Sequence, residues 1–257
     1  MSNRKEQLAA LDRLLTIMDE LRAQCPWDRK QTFESLRHLT IEETYELADA
    51  ILDKDLKSME GELGDLLLHI FFYAKIGSES QSFDIGSIAH AISEKLISRH
   101  PHIYGDLDVA DEEEVKRNWE QLKLKEGKDS VLSGVPNSLP AVIKASRIQD
   151  KVAGVGFDWE ASHQVLDKVK EELDELSVEV SNQDKDAIEA EFGDVLFSMI
   201  NYARFLGIDA ESALERTNKK FITRFKYLEQ KVKAQGKDLK AMTLEEMDVY
   251  WEAAKKL

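Results

Sequence analysis

Glu171-Glu172-Leu173-Asp174-Glu175, followed sixteen residues after Glu175 by Glu191-Phe192-Gly193-Asp194, is the stretch that decides the fold. Residues three or four apart share one face of an α-helix, so Glu171, Glu172 and Glu175 make one acidic patch and Glu191 with Asp194 makes another. Two helices packed antiparallel bring the patches together. The same pattern stands earlier in the chain, where Glu42-Glu43-Thr44-Tyr45-Glu46 precedes Glu62-Leu63-Gly64-Asp65 at a constant offset of 129. Tyr73-Ala74-Lys75 falls on Tyr202-Ala203-Arg204 at that same offset. The chain is an internal repeat of two helical units.

Gathering four or five carboxylates costs several kcal/mol unless something neutralises them, because like charges repel and burial adds desolvation. A divalent cation is the simplest neutraliser. Oxygen ligands alone, with no Cys or His in the pattern, select hard Mg²⁺ or Mn²⁺ over zinc. The acids are not a plain solvated face, since Asp65 runs into Leu66-Leu67-Leu68-His69-Ile70-Phe71-Phe72 and Asp194 into Val195-Leu196-Phe197-Ser198-Met199-Ile200. Helices apolar on so many sides are expected in a bundle interior or an intersubunit seam. Gly64 and Gly193, mid-helix between the two acids of each pair, are expected to let another helix or a ligand come close.

The 257 residues suffice for two modest domains with cores of their own. A net charge of −15 repels polyanions such as nucleic acid or an anionic membrane surface. The single cysteine, Cys25, excludes an intramolecular disulfide and suits a reducing cytoplasm; no Cys or His framework surrounds it to suggest a nucleophile. The N-terminus leads into a polar amphipathic helix, and no apolar run approaches the roughly 20 residues a membrane span needs. Four prolines, twelve glycines and little β-branched alternation predict an all-α chain.

Helices are expected over 3–24, 33–53, 57–77 and 84–99, the last ended by His100-Pro101-His102. Asp111-Glu112-Glu113-Glu114 caps a further expected helix carrying Val115, Trp119 and Leu122. The Gly, Ser and Pro cluster from Glu126 to Pro140 is the one plausible linker, and it sets an expected boundary between an N-terminal domain, 1–130, and a C-terminal domain, 131–257. Pro140 fits the first turn of a helix running to about Val152. Gly154-Val155-Gly156 has no strand before it and reads as a turn into Phe157-Asp158-Trp159, which answers Trp27-Asp28. Helices follow at about 161–181 and 185–206, then one in which Lys220 and Arg224 lie one turn apart, placed to grip phosphate oxygens. The segment from Met247 to Lys255 mirrors Val115 to Lys123, setting Trp251 on Trp119.

The tandem Glu-Glu-x-x-Glu and Glu-x-x-Asp sets, with Cys25-Pro26-Trp27-Asp28, His100-Pro101-His102, Gly134-Val135-Pro136 and Val155-Gly156-Phe157-Asp158-Trp159, resemble the MazG family over nearly the whole chain. The resemblance implies two MazG-type helical-bundle domains in a homodimer whose subunits complete each other's sites. It implies Mg²⁺-dependent hydrolysis of nucleoside triphosphates to monophosphate and pyrophosphate, with broad base tolerance. Carried over, the metal ligands are Glu172, Glu175, Glu191 and Asp194, with counterparts Glu43, Glu46, Glu62 and Asp65. Nucleotide contacts fall on Lys168, on Phe221 to Phe225 including Arg224, and on Trp251, with Glu171, Glu172 and Glu191 also bordering the substrate.

In that scheme Lys168, Lys220 and Arg224 stabilise phosphate charge, Trp251 stacks on a base, and Glu171 stands where a general base could act. The halves differ: Lys168 becomes Leu39, Asn201 becomes Phe72, and Asn218-Lys219 becomes Ser93-Glu94. The second half is therefore expected to carry most of the catalysis. A ferritin-like di-iron bundle would need Glu-x-x-His, where this chain has Asp65 and Asp194. A non-catalytic nucleotide sensor and a purely structural helical dimer are the other readings compatible with the pattern.

Overall fold

A computed structural model describes residues 2–105 and 130–256, and among these every regular element is helical. The chain divides into two compact units, Met1–Val109 and Ala110–Leu257. The expected helix at Asp111–Glu114, Val115, Trp119 and Leu122 and the start of the linker lie outside the described residues. The expected boundary at 130 sits at their edge.

In the first unit, α1 (Arg4–Gln24) starts at a reciprocal cap between Asn3 and Glu6, and a 3-10 turn, Asp28–Lys30, leads to α2 (Phe33–Asp53). Next come α3 (Leu56–Glu79), α4 (Ile85–Arg99) and a single turn, α5 (Pro101–Tyr104). Pro101 thus both ends α4 and opens α5, because a proline at the first helical position loses no hydrogen bond. Met18, Leu36 and Phe72 form the buried centre, with Leu39, Leu68, Tyr73 and Ile76 packed on it. Arg22 to Glu79 at 2.8 Å and Lys75 to Asp19 at 2.6 Å tie α1 to α3.

The second unit contains α6 (Ala141–Ala153), α7 (Ser162–Asn182), α8 (Lys185–Phe205), α9 (Ala210–Ala234) and α10 (Leu244–Ala254). Pro140 caps α6 from outside instead of entering its first turn. Val165, Val169 and Val195 are buried, as are Leu228 and Val232 of α9 and Ala254 of α10. Among the described residues no helix is long and apolar enough to cross a membrane.

What positions the acids is the hairpin between each pair of long helices. In the first unit Lys54 takes a left-handed conformation (φ 56°) and Asp55 then caps α3, its carboxylate accepting from the N–H groups of Lys57 and Ser58. In the second, Gln183 (φ 60°) and Asp184 do the same, Asp184 accepting from Asp186 and Ala187. Glu46 stands eight residues before Lys54 and Glu62 eight after it; Glu175 and Glu191 flank Gln183 at the same distance. Two antiparallel helices leaving a tight turn keep equidistant residues side by side, about 12 Å from the turn at 1.5 Å per residue. The turn therefore sets the register of the site. Replacing Asp55 or Asp184 by Ala removes one cap and is expected to cost about 1 kcal/mol each, read as a lower urea midpoint with unchanged slope.

Candidate functional site

The hairpins bring together two carboxylate clusters. Glu43, Glu46 and Glu62 each place an oxygen within 4.8 Å of the others, and Glu172, Glu175 and Glu191 do the same in the second unit. Asp65 and Asp194, one turn beyond Glu62 and Glu191, stand outside those triplets, close enough for their charge to be felt by Glu43 and Glu191. Burial, and then the charges of Asp65, Glu46, Glu62 and Glu42, raise Glu43 above the ordinary glutamate pKa. Glu191 is raised by desolvation and then by Glu175, Asp194, Glu172 and Glu179. A donor set of carboxylate oxygens alone, crowded within 4.8 Å, fits a hard divalent cation.

The second cluster differs from the first by one internal cation. Glu172 is only 7% exposed, and the Lys168 Nζ donates to it at 2.8 Å and to Glu171 at 2.9 Å. These bonds, Glu172 first, raise Lys168 above the usual lysine value. The first unit offers apolar Leu39 at this register. Glu171 is exposed and held by Lys168 at the edge of the cluster. Lys168, expected on a phosphate, here lies among the acids.

The other expected residues form a second group on α9 and α10. Phe221 packs against Phe225 at 6.2 Å and against Trp251 at 4.9 Å between ring centroids. These three aromatics border a cavity of about 220 Å³, whose lining also includes the buried Leu228. Lys220 is exposed and Arg224 half-buried on the same helix, and neither makes a hydrogen bond or ion pair with a described residue. Among the described residues a Cβ at Gly64 or Gly193 would meet nothing within 4 Å, so neither glycine serves a close approach by another helix of its own unit. Gly193 instead borders an apolar cavity of about 470 Å³ between α6, α8 and α9.

The family model for the MazG nucleotide pyrophosphohydrolase domain matches twice, over residues 31–104 and 160–228, and each match contains one hairpin with its acids. The chain belongs to the MazG nucleotide pyrophosphohydrolase family. It is 44% identical over 255 residues to the nucleoside triphosphate pyrophosphohydrolase of Escherichia coli K12, covering 96% of this chain and 97% of that protein. It is 41% identical over 256 residues to the nucleoside triphosphate pyrophosphohydrolase/pyrophosphatase MazG of Thermotoga maritima, covering 98% of each. YabN of Bacillus subtilis, described as uncharacterised, is 46% identical over 246 residues, with 93% of this chain matching 50% of that protein.

Both MazG repeats thus retain the acid hairpin, and what separates them lies around it. Sequence reasoning did not single out Gln149 of α6, which is buried and donates its Nε2 to the Phe197 carbonyl at 2.8 Å. It also missed the Arg204 to Asp158 pair at 2.5 Å. The exchange of Phe72 for Asn201 was the available signal for both, since a polar residue at a core register needs polar company. Lys168→Met leaves Glu172 buried without its cation and is expected to lower stability by about 1–2 kcal/mol in thermal melts at neutral pH. Leu39→Met at the corresponding first-unit position leaves stability nearly unchanged.

Proposed function

We propose that this chain hydrolyses nucleoside triphosphates to nucleoside monophosphate and pyrophosphate, using Mg²⁺ or Mn²⁺, with broad tolerance of the base. The observation that carries the reading is the triplet of Glu172, Glu175 and Glu191 within 4.8 Å in a chain whose full length parallels named pyrophosphohydrolases. Glu172, Glu175, Glu191 and Asp194 hold the cation, and Glu43, Glu46, Glu62 and Asp65 hold its counterpart in the first unit. When bound, the cation offsets phosphate charge and acidifies a coordinated water.

The chain's own residues supply the rest. Lys168 balances the acids within the cluster, and Lys220 with Arg224 neutralises the outer phosphates. Glu171, exposed beside Glu172, takes a proton from the attacking water. The second unit does most of the work, because Leu39 and Phe72 remove a cation and a polar group from the first. Glu172→Gln is expected to reduce Mg²⁺-dependent pyrophosphate release by roughly 100-fold or more, against a far smaller loss for Glu43→Gln. A larger loss from Glu43→Gln would reverse the assignment of halves.

The assembly proposed with this activity is a cytoplasmic homodimer. Phe192, Leu196 and Met199 of α8 are each about half exposed (54%, 50% and 48%), an apolar face alongside the 470 Å³ cavity. A face of this kind on one chain is the expected seam of a symmetric pair. Light scattering should give twice the chain mass, and Leu196→Glu should give a single chain with weakened turnover; an unsubstituted chain that stays monomeric at micromolar concentration would remove the dimer from this account.

A further inference from the structure

The layer of each hairpin just inside its acids is where the two repeats place a basic side chain on opposite helices. Leu39 and His69 stand fifteen residues either side of Lys54, and Lys168 and Ser198 stand fifteen either side of Gln183, so each pair occupies one layer of its antiparallel helices. In the second unit both polar groups are satisfied: Lys168 bonds Glu172 and Glu171, and the buried Ser198 donates to the Val195 carbonyl at 3.1 Å. In the first unit the basic group lies on the other helix and is not satisfied. His69 of α3 is 7% exposed, and its Nδ1 has no hydrogen-bond partner.

Tyr73, one turn further along α3, does not relieve it: its hydroxyl is 2.7 Å from Thr40 Oγ1, and its ring meets the imidazole edge at 6.5 Å between centroids. A buried polar atom left in this state costs stability unless a ligand completes it. The direction of the side chain says where that ligand sits. A helical side chain leans over the turn N-terminal to its own Cα, which for His69 is the turn that carries Asp65. Burial lowers the imidazole pKa and the charge of Asp65 opposes that shift, so ring and carboxylate are within electrostatic reach of each other. Four residues apart on one face is the spacing at which a single helix offers two ligands to one cation. Across the hairpin, Glu43 stands eleven residues before Lys54 and Asp65 eleven after it, and after burial the charge of Asp65 does most to raise Glu43.

From these positions we infer that the first unit's hairpin is a transition-metal site, in which a ring nitrogen of His69 joins the carboxylates of Glu43 and Asp65 around an ion such as Co²⁺, Zn²⁺ or Mn²⁺. The inference rests on the reading that each hairpin holds a divalent cation, and it names the class of cation the first unit takes. Carboxylates alone suit Mg²⁺, whereas an added imidazole favours the first-row transition ions. A neutral imidazole supplies a lone pair; the ammonium of Lys168 at the same layer of the second unit only donates and cannot ligate. Bound beside His69, the ion supplies the positive charge that Lys168 supplies in the second unit and Leu39 does not. The two repeats thus divide the metals, the second keeping an all-oxygen site and the first a mixed one.

The test uses the full chain, with the metals alone as probes. Titrated with Co²⁺ in excess Mg²⁺, the unsubstituted chain is expected to hold a tightly bound Co²⁺. Glu43→Gln should remove that ion, His69→Leu should weaken it by about tenfold or more, and Glu172→Gln should leave it unchanged. Mn²⁺ in the same site of the Glu172→Gln chain should show a nitrogen-14 coupling in its electron spin echo, which checks ligation without disturbing the core around His69. The inference is overturned if no tight Co²⁺ is found, if His69→Leu binds it as tightly as before, or if the nitrogen coupling is absent. A tight ion that survives Glu43→Gln also overturns it, since that ion lies elsewhere on the chain, as at His100 and His102. Mg²⁺-dependent pyrophosphate release that continues alongside any of these results leaves the parent reading in place, whereas a chain that binds no divalent cation at either hairpin defeats that reading itself.

Discussion

Mutual repulsion among carboxylates is the constraint around which this protein is built. Each unit uses a hairpin of two helices, 21 to 24 residues long, to hold three glutamates within 4.8 Å. Nothing in hydrophobic packing asks for that arrangement, and left alone the acids would favour helices that splay apart. The hairpin resists the splaying with local bonds. A left-handed residue, then an aspartate that caps the next helix, closes the turn in two residues, so register is fixed close to the site and not by distant packing. A cluster that is costly in isolation becomes tolerable when the backbone allows no alternative and a cation answers the charge.

The two units then show two answers to one electrostatic problem. In the second, Lys168 reaches two of the acids and the most buried glutamate, Glu172, is the one it contacts at 2.8 Å. In the first, Leu39 joins the apolar core and Glu43 carries the full effect of four neighbouring carboxylates. The pattern extends outward. Phe72 fills its core where Asn201 borders an open cavity, so the first unit gains packing where the second gains polar groups. Such exchange between the repeats leaves one half with more apolar packing and the other with more polar groups at the same registers.

Much of this was legible in the residues because it rests on short-range rules. The bounds of α2 follow from Thr32 and Ser35 at one end and a left-handed Lys54 at the other, and the acid registers follow from helical spacing alone. The Lys168 to Glu172 bond is also a local i,i+4 relation, readable in principle, yet the burial of Glu172 that gives it weight is a tertiary fact. The cavity at Gln149 was illegible for a related reason. It depends on where α6 lies across α8, a contact between residues 48 apart that no periodicity encodes. The glycines were legible only in part, since a missing side chain signals space without saying what fills it, and among the described residues of each unit nothing does.

The apolar faces complete the physical picture. Helices α3 and α8 are apolar on enough sides in the sequence to predict a bundle interior or an intersubunit seam, and Ile70, Leu196 and Met199 stand about half exposed in the single chain. One side of each helix is committed to its hairpin partner, where the acids are, and other sides to further helices of the same unit, α1 and α4 for α3 and α6 and α9 for α8, yet these apolar side chains stay exposed. A second copy of the chain placed there would bury the exposed side and stiffen the very helices that carry Glu62, Asp65, Glu191 and Asp194. Assembly and ligand geometry would then be coupled through the same two helices. A cluster of like charges that must not relax gains from a partner on its outer face, because each Å² of apolar surface removed from water opposes the repulsion that would spread the acids apart.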